Sequence, residues 1–209
     1  KIMTEKIIIK AERLTKQFGH FTATDHITFE VREGEIFGFL GANGAGKTTA
    51  MRMLCGLSQP SDGWATVAGY DVATQHEQVK QNIGYMSQKF SLYDDLTVEE
   101  NFTLFGGIYG MSRKEMKEKT TRLLEELDFA SERKTKVKSL PLGWKQKLAF
   151  SLAIFHEPKI VFLNEPTGGV DPVTRRQFWE LIYQAADRNI TVFVTTHYMD
   201  EAEYCDRVS

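Results

Sequence analysis

Two hydrophobic periods alternate along the chain. Residues 6–10 and 27–31 cluster or alternate β-formers and predict strands. The run Ile36-Phe37-Gly38-Phe39-Leu40 predicts a buried strand, set off from Val31 by the turn signal Arg32-Glu33-Gly34-Glu35. Thr66-Val67-Ala68-Gly69 predicts a short strand closed by glycine, and Ile83-Gly84-Tyr85-Met86 a buried strand ending at Ser87-Gln88. From about residue 89 to 139 the apolar spacing becomes three and four. Thr97-Val98-Glu99-Glu100 opens a helix running to about Tyr109, and Met116, Thr120, Leu123, Leu124 and Leu127 form the stripe of the next. A further helix is predicted over residues 144–155. Ile160-Val161-Phe162-Leu163 is a continuous apolar run, as expected of a strand covered on both faces, and residues 191–195 predict the next buried strand. Between them Asp171-Pro172 reads as N-cap and first helical residue, with Phe178, Leu181, Ile182, Ala185 and Ala186 on the inner face. Strands alternating with helices predict a mostly parallel α/β core, interrupted by a helical lobe.

Bulk properties narrow the picture. The chain has 209 residues, 42% of them hydrophobic, enough for one sizeable domain or a domain with a subdomain. A net charge of −2 gives no footprint for nucleic acid, so no nucleic-acid partner is expected. The apolar runs are far too short to cross a bilayer. Cys55 and Cys205 are isolated from each other and lack metal-binding spacing, which predicts two reduced, structural thiols. Lys at position 1, and a chain that stops at Arg207-Val208-Ser209 where a strand would begin, lead to the expectation of a piece of a longer polypeptide.

The chemistry concentrates in Gly41-Ala42-Asn43-Gly44-Ala45-Gly46-Lys47-Thr48-Thr49, which matches G-x-x-x-x-G-K-[ST] between a predicted strand and a predicted helix. Glycines let backbone N–H groups curl around phosphate oxygens, and the helix N-terminus adds free donors. Lys47 supplies a point charge for β- and γ-phosphates, and the Thr48 hydroxyl suits Mg²⁺. A second polar pair, Asn164-Glu165, follows the apolar run at 160–163, at a strand's C-terminal end, where ligands bind in open α/β sheets. Glu165 is placed to polarise an attacking water, and Asn164 stands where a metal-associated carboxylate is expected.

Several segments together, in order, resemble the nucleotide-binding domain of ATP-binding cassette (ABC) transporters over nearly the whole length. These are the phosphate loop, Lys16-Gln17-Phe18-Gly19, Gln88 at a strand end, Leu140-Pro141-Leu142-Gly143-Trp144, Asn164-Glu165, Val170-Asp171, and His197 after Thr195-Thr196. The resemblance implies an α/β P-loop NTPase fold: a mostly parallel RecA-like core, an N-terminal antiparallel β part and a helical subdomain. It implies one domain over residues 1–209, with a core lobe of 1–88 and 156–209 and a signature-bearing lobe of 89–155. It implies ATP and Mg²⁺ as ligands, with Phe18 stacking on adenine and Thr48, Gln88 and Asn164, the last through water, near the metal. Catalysis then falls to Lys47, Glu165 and His197, Asp171 belongs to the D-loop, and the signature at residues 140–144 acts on a second cassette's nucleotide. The segments Gly84-Tyr85-Met86-Ser87-Gln88-Lys89-Phe90-Ser91-Leu92-Tyr93 and His197-Tyr198-Met199-Asp200-Glu201-Ala202-Glu203 are similar to ATPase subunits of ABC-2-type exporters. Leu-Pro-Leu-Gly and the ending Tyr204-Cys205-Asp206-Arg207 are similar to the C-terminal cassette of tandem-cassette members. The implied partners are a second cassette and membrane permease subunits, with Tyr93, Asp94 and Asp95 near the permease, and a peripheral place on the cytoplasmic face of the membrane.

Three positions depart from the family pattern. Pro141 and Leu142 replace the serine and first glycine of Leu-Ser-Gly-Gly, and Pro141 has neither a hydroxyl nor a backbone N–H. This predicts a weakened signature, the alternative being a plain turn before a helix. Asn164 carries no charge where a carboxylate is usual, which predicts ATP binding with reduced metal affinity and slow hydrolysis. Two other functions stay open: a soluble ABC ATPase acting on ribosomes or DNA, and a catalytically weak regulatory ATP-binding module. A GTPase is disfavoured because no N-K-x-D stands in the chain.

Overall fold

A computed structural model describes residues 6–209. The N-terminal β-formers build a long hairpin, β1 (Ile7–Phe18) and β2 (Phe21–Arg32), turning at Gly19 and His20. Both strands outrun the stretches at 6–10 and 27–31 because pairing continues across irregularities between Ala11 and Leu14 and between Leu14 and Lys16, which break the sequence alternation. The apolar run at 36–40 is β3 (Ile36–Leu40), followed by helix α1 (Lys47–Leu54). Strand β4 (Asp62–Val67) starts earlier than expected from residues 66–69 and turns at Ala68 and Gly69 into β5 (Tyr70–Asp71). These make a four-stranded antiparallel sheet in the order β2-β1-β4-β5.

Helix α2 (His76–Asn82) had no apolar stripe to announce it, since it buries Val79 and little else. It leads into β6 (Ile83–Met86). Helix α3 (Val98–Ile108) opens with a capping box: Thr97 Oγ1 accepts from Glu100 N, and the Glu100 carboxylate accepts from Thr97 N. Helix α4 (Arg113–Glu126) is capped by Ser112. Helix α5 (Leu142–Ala153) begins two residues before the expected start at 144. Pro141 is its N-cap, and the Pro141 carbonyl accepts from Trp144 N and Lys145 N, both at 3.1 Å. The remaining elements are β7 (Ile160–Asn164), α6 (Pro172–Asp187), β8 (Thr191–Thr196) and β9 (Arg207–Val208). Asp171 caps α6 as anticipated, accepting from Val173 N and Thr174 N.

The second sheet has the order β6-β7-β8-β3-β9 and is parallel throughout. Its pairing carries Leu40 opposite Thr196 and Asn164 opposite Thr195, so the strands deliver their C-terminal residues to one edge. Phe29 of β2 stacks on Phe37 at 5.6 Å between ring centres, and Phe37 and Phe162 both meet Phe193. These rings lock the two sheets together on one face. Helices α5 and α6 cover the other face with Ala149, Phe150, Phe178, Trp179 and Ile182. The helical lobe has its own core of Val98, Phe102, Leu124, Phe129, Leu148 and Leu152. Helix α5 therefore belongs to two cores, with Leu148 and Leu152 toward the lobe and Ala149, Phe150 and Ala153 toward the sheet. Both cysteines are free thiols, as expected; burial raises the Cys55 thiol well above its usual value and pushes Cys205 up to about 12.

The C-terminal strand is held by a buried carboxylate. Glu35 is fully buried and accepts from Arg32 N at 2.7 Å and from Arg207 through Nη2 at 2.6 Å and Nε at 2.9 Å. Removing the guanidinium strands a buried charge, a change that costs about 3–5 kcal/mol where water cannot enter. Because Arg207 is about a third exposed, Arg207→Ala should lower the unfolding free energy by about 2–3 kcal/mol in urea titrations. A loss below about 0.5 kcal/mol, the scale of a surface ion pair, would show that Glu35 does not depend on it.

Candidate functional site

Four adjacent parallel strands end at the site. Beyond Leu40 of β3 the chain turns through Gly41, Ala42, Asn43, Gly44 and Ala45, four of which are exposed, with a hydrogen bond from Ala45 N to Ala42 O closing the turn. Gly46 is the N-cap of α1 and has φ 83°. A Cβ there would stand 1.9 Å from Ala23 O of β2. The glycine is thus required twice, by its left-handed backbone and by the close approach of the hairpin. Thr24 Oγ1 also donates to Gly46 O at 3.4 Å, so the hairpin that carries Phe18 at its tip is fastened to the loop. Phe18 is 55% exposed, paired across the turn with exposed Phe21, with Lys16 Nζ 5.2 Å from its ring centre. It is not a core residue.

Lys47 is buried, and its ammonium donates to Gly41 O at 2.6 Å and Ala42 O at 2.8 Å while lying 3.5 Å from Glu165 Oε1. Thr48, the second residue of α1, faces Asn164 at the end of β7. Thr48 Oγ1 donates to Asn164 Oδ1 at 3.3 Å or accepts from Asn164 Nδ2 at 3.2 Å. Asn164 Oδ1 also accepts from Thr195 Oγ1 at 2.9 Å. Tyr85 is close by, where burial raises its phenol against an opposing hydrogen bond from Asn164. Thr49 follows in the first turn and is half-buried.

Glu165 is the point of convergence. Its φ is 47°, a left-handed backbone rarely taken by a non-glycine residue, held by its N–H bonding to the carbonyl and hydroxyl of Thr195, both at 3.1 Å. Its carboxylate accepts from Gln88 Nε2 at 3.0 Å and lies 3.5 Å from both Lys47 Nζ and His197 Nδ1. His197 Nδ1 is buried and makes no hydrogen bond, an orphaned polar atom aimed at this cluster. The arrangement offers a cation, a carboxylate, an amide, an imidazole and a turn of backbone N–H groups within one cleft, a set suited to a polyphosphate and a water beside it.

Among the described residues no group of three or more His, Cys, Asp or Glu is placed to hold a metal on its own. The oxygens at hand are the Thr48 hydroxyl, the Asn164 and Gln88 carbonyls and the Glu165 carboxylate. Such a hard, sparsely charged set fits Mg²⁺ that takes its remaining ligands from phosphate and water.

Of the residues 140–144 that the resemblance reads as a signature, Pro141, Leu142, Gly143 and Trp144 line a separate groove with Gly169, Val170, Asp171 and Thr174. They divide by environment. Leu140 is buried in the lobe core and Trp144 packs its ring 4.0 Å from Phe129, so both are packing residues. Pro141 and Leu142 are the exposed pair, Leu142 at 44% in the first turn of α5. A Cβ on Gly143 would be 2.6 Å from Thr174 Cγ2, so this glycine serves the close approach of α5 to α6 within the chain. Asp171 is bound up in capping, and the Thr174 hydroxyl bonded to it holds its carboxyl below the usual range.

The sequence assigns no role to Thr195, which orients both Asn164 and Glu165, or to Thr167, Arg175, Tyr198 and Glu201. The available signal was a hydroxyl or carboxylate where burial is complete: Thr195 and Thr196 close an apolar strand, and Glu201 has no exposure.

The sequence model of the ABC transporter family matches residues 24–168. A probable multidrug ABC transporter ATP-binding protein, YbhF, of Escherichia coli (strain K12) is 51% identical over 201 residues, which is 96% of this chain and 35% of that protein. The linearmycin resistance ATP-binding protein LnrL of Bacillus subtilis (strain 168) is 36% identical over 202 residues, 96% of this chain and 65% of its own length. The chain thus spans about a third of the first relative and just under two-thirds of the second. Among solved structures, an ATP-binding subunit of an ABC transporter superposes with TM-score 0.83 at 28% identity, over 95% of this chain and 83% of that one. A nucleotide-free ATP-binding cassette from an ABC transporter does so with TM-score 0.83 at 22% identity, over 96% and 86%, a likeness of fold alone.

The two left-handed glycines of the loop separate backbone strain from steric approach. Gly44 has φ 81° with open space around it, and Gly46 has φ 83° against Ala23 O. Gly44→Ala should cost about 1 kcal/mol in urea unfolding, and Gly46→Ala about 1–3 kcal/mol more. Equal losses would show that the hairpin does not press on the loop.

Proposed function

The chain belongs to the ABC transporter family, and from that premise we propose that it is an ATP-binding, ATP-hydrolysing cassette of an ABC-2-type exporter. The observation that carries this reading is the Glu165 carboxylate, which meets Gln88, Lys47 and His197 at the ends of adjacent parallel strands. Relatives named for multidrug transport and linearmycin resistance support efflux of small molecules as the work driven. No described helix is long and apolar enough to cross a membrane, so the exporter's path would lie in permease subunits. The cassette then sits peripherally on the cytoplasmic face. The third of YbhF that the chain spans leaves room for a tandem-cassette polypeptide, and the likeness of Leu140-Pro141-Leu142-Gly143 and of the segment 204–207 to C-terminal cassettes supports reading this one as the second.

In this reading Phe18 stacks on adenine and the N–H groups of Gly44, Gly46, Lys47 and Thr48 cradle the phosphates. Lys47 exchanges its bonds to Gly41 O and Ala42 O for β- and γ-phosphate oxygens. Glu165 accepts a proton from water as the water oxygen bonds to the γ-phosphorus and the bond to the ADP oxygen breaks. His197 and Gln88 hold the γ-phosphate and the water in line. Bound Mg²⁺ supplies neutralisation of phosphate charge, and Thr48, Gln88 and Asn164 are the residues that would hold it. Closure on a second cassette brings that cassette's signature to this site, and the exposed Pro141-Leu142 pair serves the opposite one with no hydroxyl to offer. The γ-phosphate stabilises the closed pair only as far as it binds that pair more tightly than the open one.

Asn164 tempers the hydrolysis. Its amide lies 3.2 to 3.3 Å from Thr48 Oγ1, so it engages the hydroxyl that a metal needs, and it contributes no negative charge. A second reading, a regulatory cassette that binds ATP and barely turns it over, rests on this same contact.

Lys47→Ala in the full-length protein should weaken ATP binding by about 10- to 100-fold, the weight of a charge-assisted hydrogen bond, measured by isothermal titration. Unchanged affinity would remove the phosphate loop from the argument. Asn164→Asp should raise steady-state turnover by about 10-fold or more and lower the Mg²⁺ concentration for half activity, since it restores about 1–3 kcal/mol of charge complementarity. If neither moves, Asn164 does not limit the metal site; if wild-type turnover is negligible and the variant restores it, the regulatory reading gains.

A further inference from the structure

Glu201, in a 3₁₀ turn spanning Met199–Tyr204, is a carboxylate with no exposure, and the site described above makes no use of it. Its Oε1 accepts from Thr167 Oγ1 at 2.5 Å and from Trp179 Nε1 at 3.3 Å, and Arg175 Nε lies 3.8 Å away. Thr167 is two residues beyond Glu165, and Arg175 is in the first turn of α6, bonded through its N–H to Asp171 O. The Arg175 guanidinium does more than face Glu201. Its carbon stands 4.0 Å from the centre of the Tyr198 ring, and that ring is 4.2 Å from the His197 imidazole. Asp200 meets the exposed end of the guanidinium at 3.5 Å.

These contacts close a circuit. Glu165 meets His197, His197 packs on Tyr198, Tyr198 is covered by Arg175, and Arg175 is held by Glu201, which bonds Thr167 beside Glu165. A buried carboxylate demands a nearby cation, so Glu201 fixes where the guanidinium can go. Its planar face then covers the ring, a packing that an ammonium does not reproduce. Arg175 Nε and Glu201 Oε2 are both buried without a hydrogen bond. The 3.8 Å approach of Nε is to Oε1, the oxygen that already accepts two bonds, so the guanidinium is held beside Glu201 by charge and by its cover over Tyr198.

We propose that Arg175 is a positioning residue for His197, acting through the face of Tyr198 and anchored by Glu201. The role rests on the ATPase reading of His197 given above. It makes the start of α6, capped by Asp171, a lever on the imidazole, so that what meets the exposed groove beside Asp171 is felt at Glu165.

The test uses the full-length protein with Arg175→Lys, which keeps the charge beside Glu201 but not the planar face, together with Tyr198→Leu and Tyr198→Phe. The readouts are the ¹H–¹³C resonances of the His197 imidazole, ATP affinity and kcat. Arg175→Lys and Tyr198→Leu should move the His197 resonances and lower kcat by about 10-fold or more with ATP Kd within about 2-fold, because a misplaced group costs rate before it costs binding. Tyr198→Phe should recover what Tyr198→Leu loses. Unmoved His197 resonances in Arg175→Lys, or equal behaviour of Tyr198→Phe and Tyr198→Leu, would overturn the proposal. A parent protein that neither binds nor hydrolyses ATP would overturn the ATPase reading, and the positioning role with it, whatever the resonances do.

Discussion

The parallel register of β7 against β8 sets Asn164 opposite Thr195, and β3 against β8 sets Leu40 opposite Thr196. Everything at the site inherits from that alignment. A strand's C-terminal edge exposes carbonyls and feeds a loop, so each of β6, β7, β8 and β3 delivers one polar segment to the same line. Thr195 shows how finely the alignment matters. Its hydroxyl donates to Asn164 and accepts from the Glu165 N–H, while its carbonyl accepts from that same N–H. One residue of slip would turn the hydroxyl to the other face of the sheet and leave Glu165 without the bonds that hold its left-handed backbone. The strain at Glu165 is thus sustained by a neighbouring strand.

The rings between the sheets make the register rigid, and α5 extends that rigidity into the lobe. With Phe150 against Phe178 at 5.4 Å on one side and Leu148 and Leu152 in the lobe core on the other, α5 cannot rotate without disturbing both. Pro141 and Leu142 therefore sit on an arm whose root is the sheet that carries Glu165. Gly143 against Thr174 and the Gln146 side chain donating to Gly168 O tie the same helix to the chain just past Glu165.

Much of this architecture was legible in residue order. The run at 160–163 is apolar at every position because α5 and α6 cover one face and the aromatic layer the other, and that burial is what sequence periodicity reports. Capping at Thr97 and Asp171 was legible because the cap is a local bond between near neighbours. Helix α2 was not, since it buries Val79 and few other residues, and the extent of β1 was not, since bulges break the alternation while distant pairing restores the strand. The phosphate loop, Gln88, Asn164, Glu165 and His197 were legible as a series of spaced motifs. Thr167, Arg175 and Glu201 were not, because their contacts span 22 to 34 residues and leave no period behind. Leu140 and Trp144, read as signature residues, show the converse: a motif's letters do not say which of its side chains face inward.

Two buried carboxylates outside the strand edge bear on how the site can move. Glu35 is saturated, with a backbone N–H and two guanidinium bonds, and holds β9 to the root of β3. Glu201 is not: one oxygen accepts two bonds and the other accepts none. A fully paired carboxylate is fixed in one arrangement, whereas one with an unpaired oxygen is held by fewer bonds. The first lies at the root of β3, the end of the strand away from residues 41–47, and pins β9 there. The second lies behind His197, at the junction of α6 and β8. The polar interior is therefore fully paired at the far end of the sheet and incompletely paired behind the imidazole, so the slack in hydrogen bonding falls on the side of His197.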